Sequence, residues 1–168
     1  MGSTPNEQRR PASNKVVVGD QAPDFTLPDQ KGQPVSLSSF ADKKDVVLYF
    51  YPKDFTPGCT AEACSFRDSY EVFKEVGAEV IGISSDSEQS HQDFASRHRL
   101  PFILLSDRDG SVRKRYGVSS LLGLLPGRVT FVIDKRGIVR HIFTAQFAAE
   151  QHVQEAMKVL QRLHREGE

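Results

Sequence analysis

Val46-Val47-Leu48-Tyr49-Phe50-Tyr51 runs directly into Pro52-Lys53-Asp54-Phe55-Thr56-Pro57-Gly58-Cys59-Thr60-Ala61-Glu62-Ala63-Cys64. The first run is continuous β-branched, aliphatic and aromatic residues, the pattern of a strand buried on both faces. The second contains a Pro/Gly turn and a helix start. Thr56 is placed as N-cap and Pro57 at the first helical position, where its missing N–H costs nothing. Cys59 then falls in the first turn. Backbone N–H groups there lack intrahelical partners, and the helix dipole is positive. Both favour a thiolate over a thiol. The Thr56 hydroxyl is close enough in sequence to orient that sulfur, or an oxygen bound to it.

Cys64 is the only other cysteine. On a regular helix, five steps of about 1.5 Å separate the two by roughly 7.5 Å along the axis and turn them well apart. A disulfide needs Cα atoms within about 7 Å and converging Cβ vectors. The helical form should therefore hold two thiols, and a bond between them would require local unwinding. That behaviour fits a reversible redox pair better than a structural staple. A buried cysteine can also be a plain small hydrophobe. Two cysteines are too few for a structural zinc site of about four ligands, and the nearest histidines, His91 and His98, fall on another predicted helix. A thioredoxin-type oxidoreductase would carry Cys-x-x-Cys, whereas four residues intervene here.

Around this segment, strands and helices alternate. Val35 to Leu37, Glu79 to Ser84, Phe102 to Leu105, Val129 to Ile133 and Ile138 to Phe143 are predicted strands. Cys59 to Val76, Ser87 to Arg99 and Ala149 to Arg165 are predicted helices, with a helical turn at Gly110 to Tyr116. Ser87 is a cap candidate. Asp134-Lys135-Arg136-Gly137 joins the last two strands as a hairpin turn, with glycine placed for positive φ. Parallel units, then a hairpin and a closing helix, give an α/β domain. The order suggests a thioredoxin-like fold, a central mixed β-sheet flanked by helices on both faces.

The chain has 168 residues, enough for one well-buried domain and short for two. Residues 1–15 are polar and aperiodic and read as a disordered tail, leaving 16–168 as a single domain. Net charge is zero, so nothing global points to nucleic acid or a membrane surface. No apolar run approaches the roughly 20 residues of a membrane span, and no signal-peptide core is visible. Arg113-Lys114-Arg115 reads as a solvated basic face. Leu121-Leu122-Gly123-Leu124-Leu125 is apolar for a loop; core packing, an apolar wall beside Cys59 and a docking patch for a reductant all fit it. The five histidines show no ligand or general-base spacing.

Pro52-x-x-x-Thr56-x-x-Cys59 resembles the active-site signature of the peroxiredoxins. Cys64, five positions on, resembles the bacterioferritin-comigratory-protein/peroxiredoxin Q subfamily, of atypical 2-Cys type. Gly19-Asp20-Gln21-Ala22-Pro23-Asp24-Phe25-Thr26-Leu27, Phe66-Arg67-Asp68, Gly82-Ile83-Ser84, Leu104-Leu105-Ser106-Asp107 and Leu125-Pro126-Gly127-Arg128-Val129-Thr130 extend the likeness in order to the C-terminus. Phe55 departs from the subfamily pattern, where an acidic or small residue is commoner; this touches the pocket mouth and leaves the chemistry intact.

The resemblance implies a thiol-dependent peroxidase in antioxidant defence, acting on hydrogen peroxide and organic hydroperoxides. Cys59 would be the peroxidatic nucleophile, forming a sulfenic acid. Cys64 would resolve it as a Cys59–Cys64 disulfide, which thioredoxin or a related dithiol protein would reduce. Pro52 would shield the sulfur. Thr56, Gly58 and Arg128 would bind the peroxide, with Arg128 also stabilising charge on sulfur and leaving oxygen. No metal or other cofactor is implied, and a monomer is. Read alone, Arg128 suits a surface charge or an ion-pair partner, Thr56 an ordinary N-cap and Pro52 a strand terminator. The functional rivals are a protein thiol-disulfide oxidoreductase and a redox-sensing interaction domain. Bacterial cytoplasm is the expected location, with a chloroplast after transit-peptide removal as the alternative.

Overall fold

The computed structural model describes residues 15–118, 127–145 and 148–167. The tail at 1–14 and the apolar Leu121–Leu125 segment lie outside the described residues.

Five strands form the central sheet: β3 (Asp45–Phe50), β4 (Ala78–Ser84), β5 (Ile103–Ser106), β6 (Val129–Ile133) and β7 (Val139–Thr144). Their order across the sheet is β5-β4-β3-β6-β7. β3 pairs parallel with β4 and antiparallel with β6, so the sheet is mixed. The hairpin turn is as expected, with Gly137 at φ 81°. A further pair, β1 (Thr26–Pro28) and β2 (Pro34–Ser36), forms a small antiparallel ribbon. β1 has no counterpart in the sequence prediction: three residues, the last of them a proline, carry too little alternation to register as a strand.

β3 explains the layering. All its residues are buried, and alternate side chains serve opposite cores. Val47, Tyr49 and Tyr51 join one cluster with residues of α1 (Pro57–Glu75), α2 (Glu88–His98) and α4 (Ala149–Glu166). Val46, Leu48 and Phe50 join the other, with Phe25, Leu37, Val112 and Tyr116. Helices therefore flank both faces, but unequally. The three long ones share one face; the other holds the short α3 (Ser111–Arg115), a 3-10 turn at Leu37–Phe40 and the N-terminal ribbon.

Helix α1 is seated by one stripe. Cys59, Glu62, Ala63, Phe66 and Phe73 are its buried residues, at the three- and four-residue spacing that lines one helix face. Phe66 stacks on Tyr49 with ring centroids 4.6 Å apart and interplanar angle 20°. The ring that anchors the helix thus rests on the strand that feeds it.

Candidate active site

The β3–β6 register brings the site together. Phe50 pairs with Val129, so the chain leaving β3 and the chain entering β6 meet at one end of the sheet, beside each other in its middle. The first carries Pro52 to Cys59, the second Arg128.

Thr56 occupies the N-cap position, with extended φ −79° and ψ 151°, and Pro57 follows in the first turn. Its side chain does not cap the helix: the hydroxyl donates to the Lys53 carbonyl at 2.9 Å. The position was legible; the side chain differs, turning its hydroxyl proton back to a loop carbonyl and making no bond to a helix N–H. Phe55 has φ 66°, an uncommon conformation for an aromatic residue. Its ring packs edge-on against Phe94 of α2, centroids 5.1 Å apart. Pro52 and Thr56 are half-buried in this loop, and Gly58 is exposed.

Cys59 is 1% exposed. Arg128, also buried, donates from Nη2 to its Sγ at 3.4 Å and from Nη1 to Glu62 Oε1 at 2.6 Å. Burial works against the Arg128 cation, yet Glu62 and Cys59 outweigh it and hold the guanidinium pKa above its ordinary value. Gly58 is part of this fit. A Cβ there would stand 3.0 Å from Arg128 Nη2, so the residue before the cysteine must be small for the arginine to lie flat against the turn.

Glu62 was not singled out by the sequence. It looks like one more polar helix residue, but is fully buried. Burial raises its carboxyl to about 7, against the opposing pull of Arg128. Its Oε2 has no hydrogen-bond partner among the described residues and lies 3.6 Å from His152 Nδ1. Burial keeps His152 below its ordinary value, opposed by its bond to Ala145 and helped by Arg128. Nε2 of the neutral ring donates to the Ala145 carbonyl at 2.8 Å, and Nδ1 accepts from the Thr130 hydroxyl at 2.7 Å.

Arg113 is the second residue missed. Within its basic run it resembled surface charge, yet Nη2 donates to the Tyr51 carbonyl at 2.9 Å and Nη1 to the Gly127 carbonyl at 3.3 Å. It staples the end of β3 to the residue before Arg128. Asp54 anchors the loop from the other side. Its carboxylate accepts from Tyr51 Oη at 2.6 Å and Ser90 Oγ at 2.9 Å, and meets His91 Nδ1 at 2.7 Å. The Asp54 N–H donates to Asp86 Oδ2 at 2.8 Å. Asp54, Asp86 and His91 bring their ligand atoms within 4.8 Å of one another, and these bonds already engage them.

Both thiols are free, and α1 is helical from Cys59 through Cys64. Cys64 is half-buried, with Sγ 3.9 Å from His98 Nδ1. The structure thus joins Cys59, Gly58 and Arg128 in contact, with Pro52 and Thr56 in the adjoining loop and Cys64 further along the helix.

The model described as AhpC/TSA family matches residues 18–142. The chain belongs to the AhpC/TSA family. Within it the relationship to peroxiredoxin Q is close. The chain is 57% identical over 150 residues to "Peroxiredoxin Q, chloroplastic" of Sedum lineare, spanning 89% of this chain and 80% of that one. It superposes on the crystal structure of peroxidoxin BcpB from Mycobacterium tuberculosis with TM-score 0.81 and 43% identity, covering 86% and 96% of the two chains. The bacterioferritin comigratory protein of Xanthomonas campestris, studied for its alkyl peroxide reduction activity, gives 0.77 at 28% identity, covering 83% and 92%. The chain is a thiol-dependent peroxidase with a thioredoxin-like fold, and its family uses a peroxide substrate and a thioredoxin-like reductant. Among the described residues no helix is long and apolar enough to cross a membrane.

Proposed function

We propose that Cys59 is the sulfur oxidised by peroxide and Cys64 the sulfur that resolves it. The contact of Arg128 Nη2 with Cys59 Sγ carries this reading. A buried sulfur at a helix start, facing a guanidinium whose other nitrogen is fixed on Glu62, has its negative charge stabilised by preorganised donors. The thiolate attacks one peroxide oxygen, the O–O bond breaks, and Cys59 becomes a sulfenic acid while water or an alcohol leaves. Arg128 and the N–H groups of the Gly58–Cys59 turn hold the oxygens, Thr56 orients them, and Pro52 shields the sulfur from bulk water.

Cys64 then attacks the sulfenic sulfur. Because α1 holds both positions in regular helix, the first turns must unwind before Sγ atoms meet. The resulting disulfide is reduced by exchange with a thioredoxin. Both sulfurs sit on one helix, so one chain suffices, in keeping with a monomer. The substrates are hydrogen peroxide and organic hydroperoxides, the alkyl peroxide activity of the Xanthomonas relative supporting the latter. The chloroplastic name of the Sedum relative favours a plastid over a bacterial cytoplasm, where the role is antioxidant defence.

Steady-state peroxide consumption with thioredoxin tests this. Cys59→Ser is expected to abolish it; turnover retained in that variant contradicts the reading.

A further inference from the structure

Cys64 must lose a proton before it can attack, and one group stands where that proton would go. His98, at the end of α2, places Nδ1 3.9 Å from Cys64 Sγ, within the range of a weak sulfur–nitrogen hydrogen bond. Its position is fixed from three sides. The His98 backbone carbonyl accepts from Arg67 Nη1 at 2.7 Å, tying it to α1. Phe94 packs edge-on against the imidazole with centroids 5.2 Å apart. Phe55, from the loop before Cys59, lies 6.5 Å from it. The ring therefore belongs to a frame joining the cysteine loop, α1 and α2.

We infer that His98 is the base for the resolving step, taking the Cys64 thiol proton on Nδ1. The inference rests on Cys64 being the resolving sulfur. The thiol of Cys64 passes its proton to His98, and the thiolate attacks Cys59 Sγ as the first turns of α1 unwind. The new S–S bond forms as the S–O bond of the sulfenic acid breaks, and the hydroxide leaves as water with the proton His98 held. Cys64 is oxidised, the Cys59 sulfur is reduced by the same amount, and no outside reagent enters. Imidazole suits this relay because it gains and loses a proton near neutrality.

The charged and titratable groups that the structure places at His98 are Cys64 and Arg67 from α1, with Arg97 and Arg99 beside it in sequence; the contact from the loop is the apolar ring of Phe55.

His98→Asn tests the relay, since the amide can occupy the Nδ1 position but accepts no proton. His98→Phe is the second variant, retaining an aromatic ring against Phe94. A single equivalent of hydrogen peroxide is added to the reduced protein, and rapid acid quench with mass spectrometry follows sulfenic acid and disulfide separately. At pH 7 disulfide formation is expected to slow at least ten-fold in both variants, with sulfenic acid accumulating. At pH 9.5, above the about 8.5 of an ordinary cysteine, the gap should close to within about two-fold. Resolution at the native rate at pH 7 overturns the inference. So does a slowing undiminished at pH 9.5, which marks a packing role. If the native protein forms no Cys59–Cys64 bond, the reading beneath the inference fails, and the inference with it.

Discussion

Arg128 Nη2 lies 3.4 Å from Cys59 Sγ although 69 residues separate them in sequence. The antiparallel pairing of Phe50 with Val129 closes that distance. Nη1 of the same guanidinium is held on Glu62, one turn along the helix from the cysteine, so Arg128 faces the sulfur with little freedom to turn away.

Arg128→Lys keeps the charge and loses the fork. An ammonium cannot present the two rigid, divergent donors that meet Glu62 and Cys59 together. The second-order rate constant for Cys59 with peroxide should fall by about 10²-fold, as for loss of a preorganised oxyanion donor. Stopped-flow peroxide consumption measures it; a change under two-fold would show the contact to be idle.

Gly58→Ala separates helix stability from chemistry. Alanine is the better helix former by up to about 1 kcal/mol, but its Cβ would lie 3.0 Å from Arg128 Nη2. With Nη1 pinned, the guanidinium must shift away from the sulfur. The variant should melt no lower than the native protein yet react with peroxide several-fold more slowly, as read by calorimetry beside stopped flow.

Glu62 gives a pH signature. Its carboxyl is raised from 4.5 to about 7 in the folded state, by burial above all. Between those values the folded protein binds a proton that the unfolded chain releases, so this residue's contribution falls as pH rises from 4.5 to 7. The loss is on the order of 3 kcal/mol. Glu62→Gln lacks this titration. Its urea stability relative to the native protein should improve between pH 4.5 and pH 8, and a pH-independent difference would refute the shift.

Phe66→Ala tests how α1 is seated. The ring is fully buried and stacked on Tyr49. Its removal should cost about 3–5 kcal/mol, or roughly 10 °C in melting temperature for a chain of this size. A drop of only a degree or two would mean that other contacts seat the helix.

The sheet and long helices were legible because their signals are local. Val46 to Tyr51 is too apolar to be anything but buried, and Pro57-Gly58 marks the helix start. Cys59 and Cys64 were legible by placement, and Arg128 through family likeness. Glu62 and Arg113 were not. A glutamate three residues after a cysteine and an arginine in a basic run look solvated, and only tertiary register brings the first under Arg128 and the second onto the Tyr51 and Gly127 carbonyls. The histidines failed similarly. His91, His98 and His152 form no spacing pattern, because each partners a residue from a different element. The Thr56 hydroxyl escaped prediction for a subtler reason: it donates to the Lys53 carbonyl within its own loop, a local bond made in place of the cap.

One experiment goes to the chemistry itself. Reduced Cys64→Ser protein is given one equivalent of hydrogen peroxide, and the oxidised residue is located by mass spectrometry. A single sulfenic acid on Cys59, formed in one fast turnover that then stalls, is the predicted result. An unmodified Cys59 while peroxide disappears would contradict it.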